Sequence, residues 1–213
     1  MDNAEGPSTV KELLAEIKDS SELMVDLAYA SVFFSDADLA KEVGRLEERM
    51  VKYLHDLRRM TILAARSPED AEHMAGVLEI ASAVEKIADA ADDIARVVAV
   101  GMGIVEDLRR DLRHADEVVS RIKVRDEASV AGQTLREIAL PVEIGMWVIA
   151  ARRGGEWNLD PGGDFVVSPG DALLVKGPED GVALARELMG APALPEPPEP
   201  PEIVLSDLDR AVD

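Results

Sequence analysis

The strongest constraint on the fold is the three- and four-residue spacing of apolar side chains, which persists through residues 8–122. Such spacing is typical of helices that bury one face. Helix-start signals occur at Thr9, Ser35 and Ser67, each a hydroxyl residue followed by acids within one turn. A fourth apolar run extends to Ile122. Residues 8–122 are therefore predicted to form an antiparallel bundle of three or four helices.

The same spacing predicts which faces of the helices are buried. For the third helix we expect a buried stripe of Ile80, Val84, Ile87, Ala91, Ile94 and Val98. The first helix carries a second apolar stripe of Leu23, Leu27 and Phe34, beyond the face that one bundle needs. This surplus predicts that two copies of the chain pair as a homodimer.

The pattern changes near residue 123, where short apolar runs alternate with glycine- and proline-containing turns. We expect the following elements: strands at 123–125, 144–151, 165–167 and 172–176, and helices at 129–138 and 178–189. Ser168-Pro169-Gly170-Asp171 has the form of a type II turn. Residues 123–190 thus predict a small α/β domain, and 191–213 a proline-rich linker and tail. The fold class is mainly α, a helical bundle followed by an α/β domain.

Charge and composition exclude several classes of protein. The net charge of -20 disfavours binding to nucleic acid or to anionic lipid. The absence of cysteine excludes disulfides and thiolate chemistry. No phosphate-binding glycine motif, zinc-spaced histidine pair or serine nucleophile elbow is present, so we expect no enzyme. With no signal peptide and no apolar run of membrane-spanning length, a cytoplasmic location is expected.

Two carboxylate pairs are candidate metal ligands. Glu22 and Asp26 on the first helix, and Glu85 and Asp89 on the third, each lie four residues apart and so share a helix face. Oxygen ligands of this kind suit a hard divalent cation or iron. The alternative is that they are simply solvated, as acids on outer helix faces usually are. Asp26 interrupts an apolar run and is expected to be partly buried.

Two stretches of this helical region contain the paired acids: Ser21-Glu22-Leu23-Met24-Val25-Asp26-Leu27-Ala28-Tyr29 and Glu85-Lys86-Ile87-Ala88-Asp89. Both stretches resemble the PhoU domain. The resemblance implies a helical bundle whose Glu/Asp-x-x-x-Asp motifs bind metal clusters in some members.

The second region contains three short motifs: Ser129-x-x-Gly132-x-Thr134-Leu135, Gly145-x-x-Val148-Ile149 and Pro169-Gly170-Asp171-x-Leu173-Leu174-Val175. With these motifs it resembles the TrkA-C domain, the ligand-binding carboxy-terminal half of potassium-transport regulators. The order of the two domains resembles archaeal PhoU/TrkA-C proteins thought to regulate cation transport. TrkA-C relatives also pair through their sheets, and some hold cyclic di-AMP across the dimer interface.

The TrkA-C resemblance implies a ligand site on the segment from Val148 to Pro161. By this resemblance, Arg152 or Arg153 meets phosphate, Asn158 binds the base or ribose, and Ile149, Ala151 and Pro161 pack on the rings. The alternative is an ordinary hairpin with two solvated arginines. The leading hypothesis is a ligand-sensing regulatory subunit of a cation transporter or channel, with potassium as the expected cation. The runner-up is a metal-binding regulator of phosphate uptake signalling, and a third possibility is a dimeric scaffold without a ligand.

Overall fold

The computed structural model describes residues 9–102 and 118–193 and begins with three long helices. They are α1 (Val10–Phe34), α2 (Ala37–Ala64) and α3 (Pro68–Ala99). Each packs against the other two, and the short connections make sequential neighbours antiparallel. The predicted bundle is confirmed for these three helices. The fourth predicted helix falls mostly on residues 103–117, outside the described part of the chain.

The helix starts follow the predicted capping chemistry with one shift. Thr9 forms a capping box with Glu12, and the hydroxyl of Ser67 accepts a hydrogen bond from the backbone N–H of Asp70. The prediction of Ser35 as the cap of α2 is wrong. Ser35 adopts a left-handed conformation (φ 49°) that ends α1, and the carboxylate of Asp36 caps α2 instead. It accepts hydrogen bonds from the N–H groups of Asp38 and Leu39 at 3.0 and 3.1 Å.

The buried face of α3 agrees only in part with the predicted stripe: Ala91 is buried, and Val84, Ile94 and Val98 pack partly buried against the core. Its deeply buried residues are all alanines: Ala81, Ala88, Ala91 and Ala95. Ile80 and Ile87 are instead 56% and 48% exposed. Alanine side chains are small and let α3 approach α1 and α2 closely. The alanine-bearing face therefore packs in the core, and the adjoining face that carries Ile80 and Ile87 does not. Spacing alone could not distinguish two adjacent apolar faces of one helix.

The carboxy-terminal part is an antiparallel four-stranded sheet with three short helices. The strands are β1 (Val118–Lys123), β2 (Trp147–Arg153), β3 (Glu156–Leu159) and β4 (Ala172–Gly177). Their order in the sheet is β1-β4-β2-β3. The helices are α4 (Leu135–Ile138), α5 (Leu140–Ile144) and α6 (Glu179–Leu188). The predicted α/β character is confirmed.

Several predicted boundaries in this domain are wrong. Residues 118–122 belong to strand β1 and not to a helix, because their Val-Val-Ser-Arg-Ile pattern pairs along β4. The helix predicted from Ser129 begins only after Thr134, which forms a capping box with Glu137. Residues 165–167 make an isolated bridge between Val166 and Thr134 and no strand. By contrast, the type II turn is confirmed, with Gly170 at φ 91° and the N–H of Asp171 donating to the carbonyl of Ser168.

The sheet lies between the helical bundle and α6. On one side, Ala150 and Leu174 are completely buried in the core that the bundle forms. On the other side, Leu173 and Val175 pack with Val182 of α6 in a second core. No helix among residues 9–102 and 118–193 is long and apolar enough to cross a membrane.

Candidate functional site

The contact between the sheet and the bundle uses the second apolar stripe of α1. Leu27 is fully buried in the core that includes Ala150 and Leu174, and Leu23 and Phe34 are partly buried against it. This stripe was predicted to pair two copies of the chain. That basis for a homodimer is wrong, because the chain's own sheet covers the stripe.

Ion pairs surround this apolar contact. Lys176 on β4 lies 3.0 Å from a carboxylate oxygen of Asp26, whose side chain is only 18% exposed. The carboxylate of Asp36, almost fully buried, lies 3.0 Å from Arg121 and 3.7 Å from Arg152. Three cations of the sheet thus meet acids of the bundle, and the prediction that Asp26 is partly buried is confirmed.

The guanidinium of Arg152 lies at the start of α2. It contacts Asp38 at 2.9 Å, in addition to Asp36, and donates to the carbonyl of Gly155 at 3.2 Å. The pKa of Asp38 is lowered, first by its hydrogen bond from Lys41 and further by the charge of Arg152. The alternative of a solvated Arg152 does not hold. Its side chain is 29% exposed and joins the sheet to the start of α2.

Aromatic rings complete the contact. Arg121 lies 4.6 Å from the centre of the Phe34 ring, and Arg152 lies 5.6 Å from that of Trp157. Among the described residues, Nε of Arg121 and Nε1 of Trp157 are buried without a hydrogen-bond acceptor. A buried donor left unpaired costs about 1–3 kcal/mol. The contact is therefore less stable than a fully hydrogen-bonded one, and opening it costs correspondingly less.

Two cavities adjoin the end of β3. The first, of about 440 Å³, lies between the bundle and the β2–β3 edge, and its acids are Glu16, Asp19, Glu22, Asp26 and Asp160. Its apolar wall includes Leu23, Ile149 and Leu159. We call it the acidic cleft.

The second cavity, of about 370 Å³, is built from α4, α5, the start of β2 and the loop after β3. We call it the apolar pocket. Its wall carries Val142, Trp147 and Pro161, and Arg136 lies at its edge. Val142 and Trp147 are 84% and 53% exposed, which is unusual for such large apolar side chains. Arg136 pairs with Asp164 at 2.9 Å, and both side chains are largely solvated.

The predicted ligand residues do not form one site. Pro161 lines the apolar pocket, whereas Ile149 lines the acidic cleft and Arg152 lies at the domain contact. Ala151 is buried in the core on the other side of the sheet, and its cross-strand partner Asn158 shares that side. Successive strand residues point to opposite faces, and an irregularity between Val148 and Ala150 shifts the alternation further. The prediction therefore combined residues from two faces of the sheet.

Arg153 is likewise engaged within its own domain. It forms a bidentate pair with the buried carboxylate of Asp171 at 2.6 and 2.7 Å, and it donates to the carbonyl of Val166. The hydrogen bond that Arg153 donates to the Asp171 carboxylate raises the pKa of Arg153. Arg153 therefore fixes the turn that precedes β4 and is not free to meet a ligand.

The predicted metal ligands are also separated. Glu22 pairs with Lys18 and Asp26 with Lys176, whereas Glu85 pairs with Arg58 on α2 at 2.6 Å. In the described part of the chain, no group of three or more histidines or acids is arranged to hold a metal ion. The four acids do not fit a shared metal ion in this arrangement.

Asp89 belongs to a different acidic group. It lies near Glu47 on α2, together with Asp92. Burial raises the pKa of Glu47, and repulsion from Asp92 and Asp89 raises it further. The folded chain therefore binds a proton at Glu47 more tightly than the unfolded chain does. The resulting stabilisation is present at pH below the ordinary Glu pKa and is lost as the pH rises through the raised pKa.

Family models account for both parts of the chain. Residues 14–98 match the PhoU domain, and residues 119–190 match the TrkA-C domain. The chain joins a PhoU domain to a TrkA-C domain. Both predicted resemblances are confirmed.

Solved structures with a similar fold were also found, whereas no curated protein matches the chain. One is the RCK_C domain dimer of S. agalactiae BusR in complex with c-di-AMP, with 22% identity, 34% of this chain and 95% of that chain covered, and a TM-score of 0.33. Another is the RCK C domain of the potassium transport protein KtrA in complex with c-di-AMP. It has 22% sequence identity and a TM-score of 0.32, and the match covers 38% of this chain and 94% of that chain. A third is the GsuK RCK domain. It has 16% sequence identity and a TM-score of 0.30, and the match covers 47% of this chain and 21% of that chain.

The apolar pocket of the TrkA-C domain was not identified from the sequence. Arg136 and Trp147 lie eleven residues apart and are brought together only by the turns through α4 and α5. One signal was available: Trp147 is one of only two tryptophans in a chain with 3% aromatic residues.

Proposed function

We propose that this chain is a non-enzymatic, ligand-sensing regulatory subunit of a cation transporter or channel, with potassium as the cation. In this proposal the TrkA-C domain binds an anionic nucleotide, and the PhoU domain transmits binding to the membrane partner. Support comes from the presence of the two domains in one chain and from the geometry around the end of β3.

The apolar pocket suits a ligand with a planar ring and a phosphate. The exposed face of Trp147 offers a surface for stacking, and Pro161 and Val142 offer apolar contact. Arg136 supplies the positive charge at the edge. Its present partner, Asp164, is exposed, and such surface pairs contribute little, so a phosphate can replace it at low cost.

The observation that carries the proposal is that Asp160 lines both cavities. It has a left-handed backbone (φ 47°), and its N–H donates to the carbonyl of Ile149. Its neighbours lie on either side: Leu159 faces the acidic cleft and Pro161 the apolar pocket. A ligand that displaces this segment alters the contact with α1 and α2 at the same time.

The domain contact gives this displacement a route into the PhoU domain. Trp147 begins strand β2, and Arg152, near its other end, holds Asp36 and Asp38 at the start of α2. A shift of β2 would therefore loosen Arg152 from α2. Because Nε of Arg121 and Nε1 of Trp157, beside this contact, have no acceptor among the described residues, a rearrangement there sacrifices few hydrogen bonds.

Calorimetric titration of the full chain with cyclic di-AMP tests the ligand site. Wild-type protein is expected to bind, and Arg136→Ala to bind about ten- to a hundredfold more weakly, since a charge-assisted hydrogen bond contributes about 1.5–3 kcal/mol. The matched control is Arg125→Ala, an exposed arginine of the same domain that does not line the pocket.

Equal affinity in the Arg136→Ala and wild-type proteins would remove Arg136 from the site. No binding by wild type would reject this ligand class. The alternative, a metal-dependent regulator of phosphate uptake signalling, has no support from the arrangement of the described acids.

A further inference from the structure

The exposed face of α3 carries a regular apolar seam that no described element covers fully. It consists of Ile80, Ala83, Ile87, Ala90, Ile94 and Val97, spaced three and four residues apart in turn. Ile80 and Ile87 are about half exposed, Ala83 and Ala90 are exposed, and Ile94 and Val97 are half-buried. Alternating spacing of this kind is the pattern by which one helix packs along another.

We propose that this seam binds the α3 seam of a second copy of the chain, antiparallel and about a two-fold axis near residue 88. Large and small residues alternate along it, from Ile80 to Ala83 and from Ile87 to Ala90. Around such an axis, Ile87 of each copy lies opposite Ala90 of the other, and Ala83 lies opposite Ile94. The seam is therefore complementary in shape to itself.

Charge at the edge of the seam favours the same arrangement. Glu79, Lys86 and Asp93 lie seven residues apart on one edge, so a cation stands between two acids. Within the described residues, neither Glu79 nor Lys86 forms an ion pair. In an antiparallel pair about a two-fold axis, like edges face each other, so Lys86 of one copy lies near Asp93 of the other. A parallel pair would not bring these charges together.

The length of the seam matches a second copy of the same helix. From Ile80 to Val97 it is about 27 Å long, at the usual helical rise per residue. A second α3, paired about a two-fold axis, covers the whole of it with an identical seam.

Sedimentation of the full chain tests this interface. Ile87→Lys places a charge in the seam and is expected to halve the weight-average mass at micromolar protein. The matched control is Val51→Lys, which changes a similarly exposed apolar side chain on α2 and should leave the mass unchanged. An unchanged mass in Ile87→Lys, or a monomeric wild type, would overturn the proposal.

Disulfide trapping tests the register, and the native chain contains no cysteine to interfere. Two single variants, Ile87→Cys and Ala90→Cys, one carrying a mass tag, are mixed and oxidised. The expected product is the mixed disulfide dimer. Self-linked Ile87→Cys as the main product would indicate a parallel pair, and absence of any linked dimer would indicate that the chain itself covers the seam. Either result would overturn the antiparallel interface.

Discussion

Replacing Asp36 with alanine is expected to lower the free energy of unfolding by about 2–3 kcal/mol. Loss of the cap of α2 accounts for about 1 kcal/mol. The rest follows because Arg121 and Arg152, each about 30% exposed, lose their nearly buried counter-ion. Urea unfolding followed by circular dichroism measures this change.

The variant Asp36→Asn separates the two contributions. An asparagine side chain retains an acceptor for the N–H groups of Asp38 and Leu39 but has no charge. We expect it to lose roughly half as much stability as Asp36→Ala. Wild-type stability in Asp36→Asn would show that the ion pairs with the TrkA-C domain contribute nothing.

Replacing Gly181 with alanine is expected to destabilise the chain by about 2 kcal/mol, opposite in sign to the usual effect within a helix. A Cβ atom at this position of α6 would lie 2.7 Å from both the carbonyl oxygen of Ile144 and the sulfur of Met146. The carbonyl is part of the backbone and cannot move aside cheaply. Thermal or urea unfolding of the full chain measures the effect.

Gly76→Ala is the matched control for this prediction. Gly76 lies within α3, and a Cβ atom there would meet nothing within 4 Å. Alanine should therefore stabilise α3 by about 0.5–1 kcal/mol. If Gly181→Ala stabilised the protein as much as this control, the close packing of α6 on the segment from Ile144 to Met146 would be contradicted.

The architecture was largely predictable because local signals and tertiary packing agree. The caps at Thr9 and Ser67 set helix starts, and the turn at Pro169-Gly170 set the start of β4. The secondary structure was predicted wrongly where the local sequence is equally consistent with a helix and with a strand. Residues 118–122 have both helical spacing and β-branched side chains, and only pairing with β4 decides between them.

The functional site was less predictable because it depends on the contact between domains. Spacing made Asp26 a candidate metal ligand, and the TrkA-C resemblance made Arg152 a candidate phosphate contact. Nothing local indicated that Lys176 would neutralise Asp26 or that Asp36 would pair with Arg152. Both pairs join residues more than 100 positions apart. Family resemblance identified the domains, yet the side chains that line each cavity followed from strand alternation and turns.

Hydrogen exchange of the full chain, with and without saturating cyclic di-AMP, tests the central claim most directly. The claim predicts slower exchange around the apolar pocket, in residues 135–148. It also predicts faster exchange at the start of α2, in residues 36–40, because the ion pairs of Arg152 with Asp36 and Asp38 weaken. No change in either region would contradict ligand sensing by the TrkA-C domain. Protection confined to 135–148, with residues 36–40 unchanged, would contradict transmission of binding to the PhoU domain.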